Sequence, residues 1–250
     1  MGRYTAPAGM AAFLWRMALT TGTGSIFGFL VARQAYDSAL LAPFFIALSL
    51  SYGLAIFMLV LMLACQSGSR PIDNNLMARM ARLQIIFVAA SLYFVLVYHM
   101  TNLYFAKHQD FARFVLLEGG AYTVLFWLGQ VFLGSVLPIM LLLRKDIGEQ
   151  RWRIATAAVL IIVGGFAQMY VTIIGGQAFP LIIFPGHEIS STFDDGTIAR
   201  YVPSMPEFLL GLGGMAIAGL VVMVTLRVLR ILPDRLDHQA LSSASADAAT

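Results

Sequence analysis

The sequence predicts an all-α integral membrane protein, a bundle of about six transmembrane helices, and three observations carry that prediction. First, the 250 residues are 59% hydrophobic and only 12% charged, whereas soluble domains carry charge on roughly a quarter of their residues. Mean hydropathy is correspondingly high, at +0.80. Second, the apolar residues are gathered into runs long enough to cross a hydrocarbon core of about 30 Å at about 1.5 Å per helical residue. Third, the polar segments between the runs are mostly short, and basic residues crowd alternate ones. The bundle is expected over residues 1–233 and a disordered polar tail over residues 234–250.

The first run, Met10–Val31, has no basic start or small-residue cleavage pattern before it and runs on too far for a signal peptide, so it is read as a span. Its middle, Thr20-Thr21-Gly22-Thr23-Gly24-Ser25, is small and hydroxyl-bearing, which lets helices approach closely. With no strand before it, the glycine pattern does not read as a phosphate loop. The second run, Leu41–Cys65, has Pro43 in its opening turn, where a missing N–H costs least. The third is Leu83–Tyr104. The fourth, Phe114–Leu143, is long enough to tilt or to begin as an interfacial turn over Leu116–Tyr122, loosened by Gly119 and Gly120, with Pro138 placed near its end. The fifth, Ile154–Gly176, carries Gly164-Gly165 and Gly175-Gly176, and the sixth, Phe208–Ile231, follows Pro206 and carries Gly211–Gly214. These glycines predict tight helix packing. Phe179–Pro206 is the one long connection.

Six spans put both termini on one side, so charge can be counted by side. The side of the termini holds Arg3, Arg70, Arg79, Arg82, Arg144, Lys145, Arg151, Arg153, Arg227, Arg230 and Arg235, while the other holds Arg33, Lys107, Arg113 and Arg200. Basic residues stay on the cytoplasmic side of membrane proteins. Both termini are therefore expected in the cytoplasm and Phe179–Pro206 outside, which for a bacterial inner membrane means the periplasm. Arg16, within the first span but toward its inner end, is expected to snorkel.

Ionisable and amide groups inside spans are costly, and each is a functional candidate. His99 and Asn102 fall at the outer end of the third span, Glu118 near the outer start of the fourth, Gln177 at the outer end of the fifth, and Tyr201 and Glu207 at the outer start of the sixth. Tyr98, Tyr104 and Tyr122 sit at similar depth. A shared outer pocket made from His99, Asn102, Glu118, Gln177, Tyr201 and Glu207 is the sharper reading. The plainer one stays open beside it: tyrosines anchor at membrane interfaces, and Glu207 is equally a first-turn acid favoured by the helix dipole. Gln130 and Gln168 are read as interhelical hydrogen-bond partners.

Several chemistries are excluded. One cysteine, Cys65, supports neither disulfides nor a thiolate metal centre. Of four histidines only His99 lies in a span, so a bis-histidine haem is not expected. No metal bound by this chain is expected either. The scattered basic residues do not make a nucleic-acid surface.

The stretch Gly175-Gly176-Gln177 … Pro180 … Pro185-Gly186 … Tyr201-Val202-Pro203-Ser204-Met205-Pro206-Glu207 resembles the closing region of the NrfD/PsrC family, the polysulfide-reductase-like membrane subunits that include the DsrP and HybB types. Gly22-Thr23-Gly24-Ser25, Leu40–Phe45 and Ser51-Tyr52-Gly53 look like that family's paired helices, and Glu118 with Leu137-Pro138-Ile139-Met140-Leu141-Leu142-Leu143 looks like another of its helices. The likeness spans about Ala11 to Leu232 and matches the C-terminal portion of members that commonly have eight to ten spans. The resemblance implies a quinone-interacting subunit, not catalytic alone, of a respiratory or sulfur-metabolism oxidoreductase. In that role it exchanges electrons between the quinone pool (menaquinone or ubiquinone) and a periplasmic ferredoxin-like iron–sulfur subunit served by a catalytic or cytochrome subunit. It also implies that His99, Asn102, Glu118, Gln177, Tyr201 and Glu207 bind quinone or relay protons, and that a further membrane chain supplies missing helices. A pure anchor or assembly subunit is the alternative. A small-solute transporter is the other, although neither an inverted repeat nor a midplane charge array is visible.

Overall fold

A computed structural model of the chain describes residues 5–67, 72–181, 197–199 and 201–228. The expected tail over 234–250, the end of the sixth run and most of the long connection lie outside the described residues. Seven helices make up the described chain: α1 Thr5–Gly28, α2 Leu41–Ser67, α3 Asn74–Tyr104, α4 Gln109–Arg113, α5 Ala121–Leu142, α6 Arg151–Ala178 and α7 Met205–Val228. Five of them (α2, α3, α5, α6 and α7) are long and apolar enough to cross a membrane. α1 has the length, 24 residues, but Arg16 and the Thr20–Ser25 stretch dilute its apolar character. Its Thr20, Thr21 and Thr23 hydroxyls donate back to the carbonyls of Arg16, Met17 and Leu19 at 2.8–3.0 Å, which satisfies them within the helix.

The chain divides into two compact units, residues 1–60 with 74–199 and residues 61–73 with 200–250. In the first unit α3 shows most plainly how the sequence builds the bundle. Its buried residues are Met77, Ala81, Gln84, Val88, Ser91, Val95, Tyr98, His99 and Asn102, a stripe recurring at three and four residues that keeps one face inward. The helix starts nine residues before the expected Leu83, because Leu76–Arg82 is made of good helix formers and buries Met77 and Ala81 completely.

The fourth apolar run is split. Phe114–Glu118 forms a π-helical turn after α4, the chain breaks at Gly119-Gly120, and α5 begins at Ala121. Gly120 has φ of 57°, a left-handed conformation suited to glycine. Within α5, Leu125–Val136 is π-helical, and so is Tyr170–Gly175 within α6. Pro138 lies within α5, near its end. Lacking an N–H, it leaves the fourth carbonyl before it without an α-helical donor, and the wide turns sit just ahead of it.

α5 and α6 pack backbone to backbone. A Cβ on Gly134 would lie 2.7 Å from the Gly164 Cα, and one on Gly129 would lie 2.8 Å from the Ala167 Cβ. Gly24 of α1 meets Ala42 of α2 equally closely. The tight packing expected of these glycines is present. α7, described by itself, has no buried residue, and a Cβ on Gly211, Gly213 or Gly214 would meet nothing within 4 Å.

At one end of the first unit the α1–α2 connection is clasped to the end of α6. Arg33 Nη1 donates to the Gln177 and Phe179 carbonyls at 2.7 and 3.0 Å. The Tyr36 hydroxyl is shared between the Thr172 and Ile173 carbonyls at 3.2 and 3.1 Å, in the π-helical part of α6. Lys107 pairs with Asp37 at 2.6 Å, and His108 Nδ1 lies 2.6 Å from the Gln34 carbonyl. Burial pushes the Tyr36 phenol up to about 12, against the opposing pull of Arg33. The folded chain thus holds this proton more tightly than the unfolded one, and the stabilisation is lost as pH climbs from about 10 through about 12. Tyr36→Phe is expected to cost about 1–3 kcal/mol. Faster amide exchange over residues 172–178 in detergent is the measurement.

Candidate functional site

The inward stripe of α3 places the polar side chains. Near its end, Tyr98, His99 and Asn102 are all buried, at 6%, 9% and 2% exposure. The Tyr98 hydroxyl donates to the Ala35 carbonyl, which ties the site to the clasp, and Asn102 lies alongside that hydroxyl. The His99 ring is held edge-on between Tyr98 and Phe126, with centroids 5.2 and 4.7 Å away. His99 Nδ1 has no protein hydrogen-bond partner, and Asn102 Nδ2 has none apart from its approach to the Tyr98 hydroxyl. Buried donors and acceptors left alone cost about 1–3 kcal/mol each. Such groups mark places where a ligand or water completes the structure.

Two cavities open beside this stripe. The first, with free space of about 10 Å³, is lined by Tyr98, His99, Gln168 and Thr172 among apolar neighbours including Phe44 and Val115. The second, about 20 Å³, is lined by Ser51, Ser91, Gln130, Ser135 and Gln168 and by the close-packed Gly134 and Gly164. Val95 and Gln168 line both. Residues of all three π-helical segments contribute: Val115, then Gln130 and Ser135, then Val171 and Thr172. Wide turns of this kind concentrate at functional sites.

Four of the six expected site residues lie in the first unit. His99 and Asn102 come together, with His99 at the first cavity. Glu118, at the end of its π turn, and Gln177 are exposed, and neither lines either of these two cavities. Gln177 contributes its backbone carbonyl to Arg33 instead. Tyr201 and Glu207 belong to the second unit, where Glu207 accepts from the Ser204 backbone N–H at 2.7 Å and from the Tyr201 hydroxyl at 3.0 Å. Of the two readings kept for Glu207, this geometry is the helix cap, the glutamate half of a capping box.

The expectation that Gln130 and Gln168 join helices is corrected. Gln168 Nε2 donates to Thr172 Oγ1 on its own helix at 2.8 Å, leaving Oε1 without a partner, and neither amide atom of Gln130 has one. Both face the cavities. Sequence reading also passes over Gln84, whose Nε2 donates to the Ser51 carbonyl at 2.9 Å and whose Oε1 has no partner. A signal for it exists: Gln84, Ser91 and Asn102 fall on the same helical stripe as the apolar Met77, Ala81, Val88 and Val95. No three of His, Cys, Asp and Glu gather as a metal-ligand set among the described residues.

An all-helical chain with several membrane-crossing helices and a polar, partly unsatisfied interior is a multi-pass membrane protein with a buried polar site. It belongs to the NrfD family: the family described as polysulphide reductase, NrfD, matches residues 2–181. The Tyr201–Glu207 segment lies beyond that match. The chain is 31% identical over 232 residues to the Hdr-like menaquinol oxidoreductase integral membrane subunit of Archaeoglobus fulgidus, an alignment covering 91% of this chain and 58% of that one. It is 21% identical over 224 residues to a selenate reductase subunit of Mesobacillus selenatarsenatis, covering 89% and 51%. The chain thus spans about half the length of the curated relatives it matches. No solved structure matches it.

Proposed function

We propose that this chain is a quinone-interacting membrane subunit of an oxidoreductase complex, exchanging electrons between the quinone pool and an iron–sulfur partner docked at the end of the bundle where His99 lies. The observation that carries the reading is the buried His99–Asn102 pair, with no protein partner on His99 Nδ1, in a chain whose relative is named a menaquinol oxidoreductase subunit. Quinol oxidation releases two protons with two electrons. Carbonyl and hydroxyl oxygens of the ring therefore need a hydrogen-bond donor and a proton acceptor at the same place. Asn102 supplies the donor and His99 the acceptor. With α1 counted as a sixth span, the charge bias favours this end as the outer side and both termini in the cytoplasm.

The first cavity, at about 10 Å³, admits a water and not a ring. A quinone head group therefore enters by displacing Phe44 and Phe111, which line the cavity, and Phe126, which packs on the His99 ring. If these rings do not yield, the chain serves as an anchor without quinone chemistry. The purified complex separates the two readings. Asn102→Leu is expected to raise the KM for quinol about tenfold, the loss of one hydrogen bond to the substrate, with the same set of chains in the complex. An unchanged KM in a normally assembled complex favours the anchor.

A further inference from the structure

The buried polar atoms do not stop at His99. Moving inward, the unpartnered atoms are His99 Nδ1, Gln168 Oε1, Gln130 Nε2 and Oε1, and Gln84 Oε1. All four residues are at least nine-tenths buried. His99 and Gln84 are fifteen residues apart on α3, about 22 Å along the helix. The two cavities follow this line from His99 to Gln130 and share Gln168, while Gln84 lies beyond their lining. Free space of about 10 and 20 Å³ suits single waters, and a cavity with several polar partners holds water where an apolar one stays dry. Ser51 and Ser91 add hydroxyls to the second cavity, the former already bonded to Gln84. The residues flanking the line inward, Met58, Met77, Ala81 and Ile154, are fully buried and apolar, so the line ends near Gln84.

We propose that the two cavities form one internal water site, held by Gln168 and Gln130, in which a water hydrogen-bonds His99 Nδ1. What this does for proton transfer rests on the quinone reading above, while the water site itself does not. When quinol is oxidised its two electrons leave to the iron–sulfur partner and its protons leave in turn through His99 Nε2: a quinol O–H bond breaks, an Nε2–H bond forms, and that proton is released toward the outer end before the next is taken. While the ring is charged its Nδ1–H donates to the internal water, which stabilises the imidazolium, and no proton enters the sealed cavities. Gln130 and Gln168 are positioning residues, since they hold the waters and not the substrate.

The test uses the purified oxidoreductase complex, with X-ray-generated hydroxyl radicals in ¹⁸O-labelled water. Radicals formed in place oxidise side chains beside internal water even when bulk solvent does not reach them. Tyr98 and Leu48, which line the cavities, are expected to be labelled, while the more reactive but dry Met58 is not. Gln130→Leu is expected to abolish labelling at Leu48, to slow quinol-linked turnover about tenfold and to enlarge its solvent deuterium isotope effect. Gln130→Met, unbranched and close in volume, serves if the leucine variant does not assemble. Absence of label at Leu48 and Tyr98 in the unaltered complex overturns the water site. Label lost in the variant with turnover and isotope effect unchanged overturns the water's role in proton transfer and leaves the quinone reading standing. Label retained in a complex whose turnover is indifferent to His99→Ala overturns the quinone reading, and with it that role, while the water site stands.

Discussion

His99→Ala is expected to lower quinol-linked turnover of the assembled complex by about 100-fold, the lower range for removing a general acid or base. Two effects separate in this variant. Removing the ring opens space between Tyr98 and Phe126, which now hold it edge-on, and that alone loosens the site. His99→Gln keeps most of the volume and a hydrogen-bonding group but carries no proton. If His99 moves protons, both variants lose turnover while the KM for quinol in His99→Gln stays within about twofold. Should His99→Gln turn over like the unaltered complex, the histidine only fills space and the proton role is wrong. Glu118→Gln provides the contrast. Its side chain is exposed and lines neither cavity, so turnover is expected to hold.

The different fates of His99 and Glu118 show how much of this molecule is legible in its sequence. Apolar run length and charge bias are enough for the fold class, because bilayer thickness leaves an α-helical chain few alternatives. The connections that charge assigns to one side also meet in space, through Arg33 with Gln177, Lys107 with Asp37 and Tyr98 with Ala35. Depth along a span is therefore readable. Direction around the helix is not, for two reasons. Run counting treats a span as a featureless cylinder, so it misses Gln84 and Ser91 although they lie on the buried stripe of α3. The π turns also rotate side chains away from the positions an α-helical count gives. Glu118 closes one such turn before the Gly119-Gly120 break and faces out, whereas Gln130 sits inside another and faces in. Glu207 has a local signal, since Ser204-Met205-Pro206-Glu207 is the spacing of a capping box. α1 shows the limit of run counting in the other direction. Met10–Val31 reads as a span, yet its helix is not among the five long and apolar enough to cross a membrane, with Arg16 and the Thr20–Ser25 stretch inside it.

Gly164→Val is expected to be the most damaging single change to the fold. Helices in a membrane gain little from excluding water, and their association rests on close packing. α5 and α6 achieve that packing at Gly134 and Gly164, where each Cα occupies the place a Cβ on the other glycine would take. The obstruction is backbone against backbone, so no rotamer change relieves it and the helices must move apart. Overpacking of a core costs about 1–3 kcal/mol, and the upper end applies when only the backbone can yield. Separation at this point also widens the cavity that Gly134 and Gly164 line beside Gln130, so the variant disturbs water and packing together. Gly53→Ala is the control: a Cβ there meets nothing within 4 Å, and alanine is the better helix former by about 1 kcal/mol. Thermal unfolding in detergent is expected to fall for Gly164→Val and to hold or rise for Gly53→Ala. Equal stability of the two variants would mean that the α5–α6 glycine contact does not hold the bundle together.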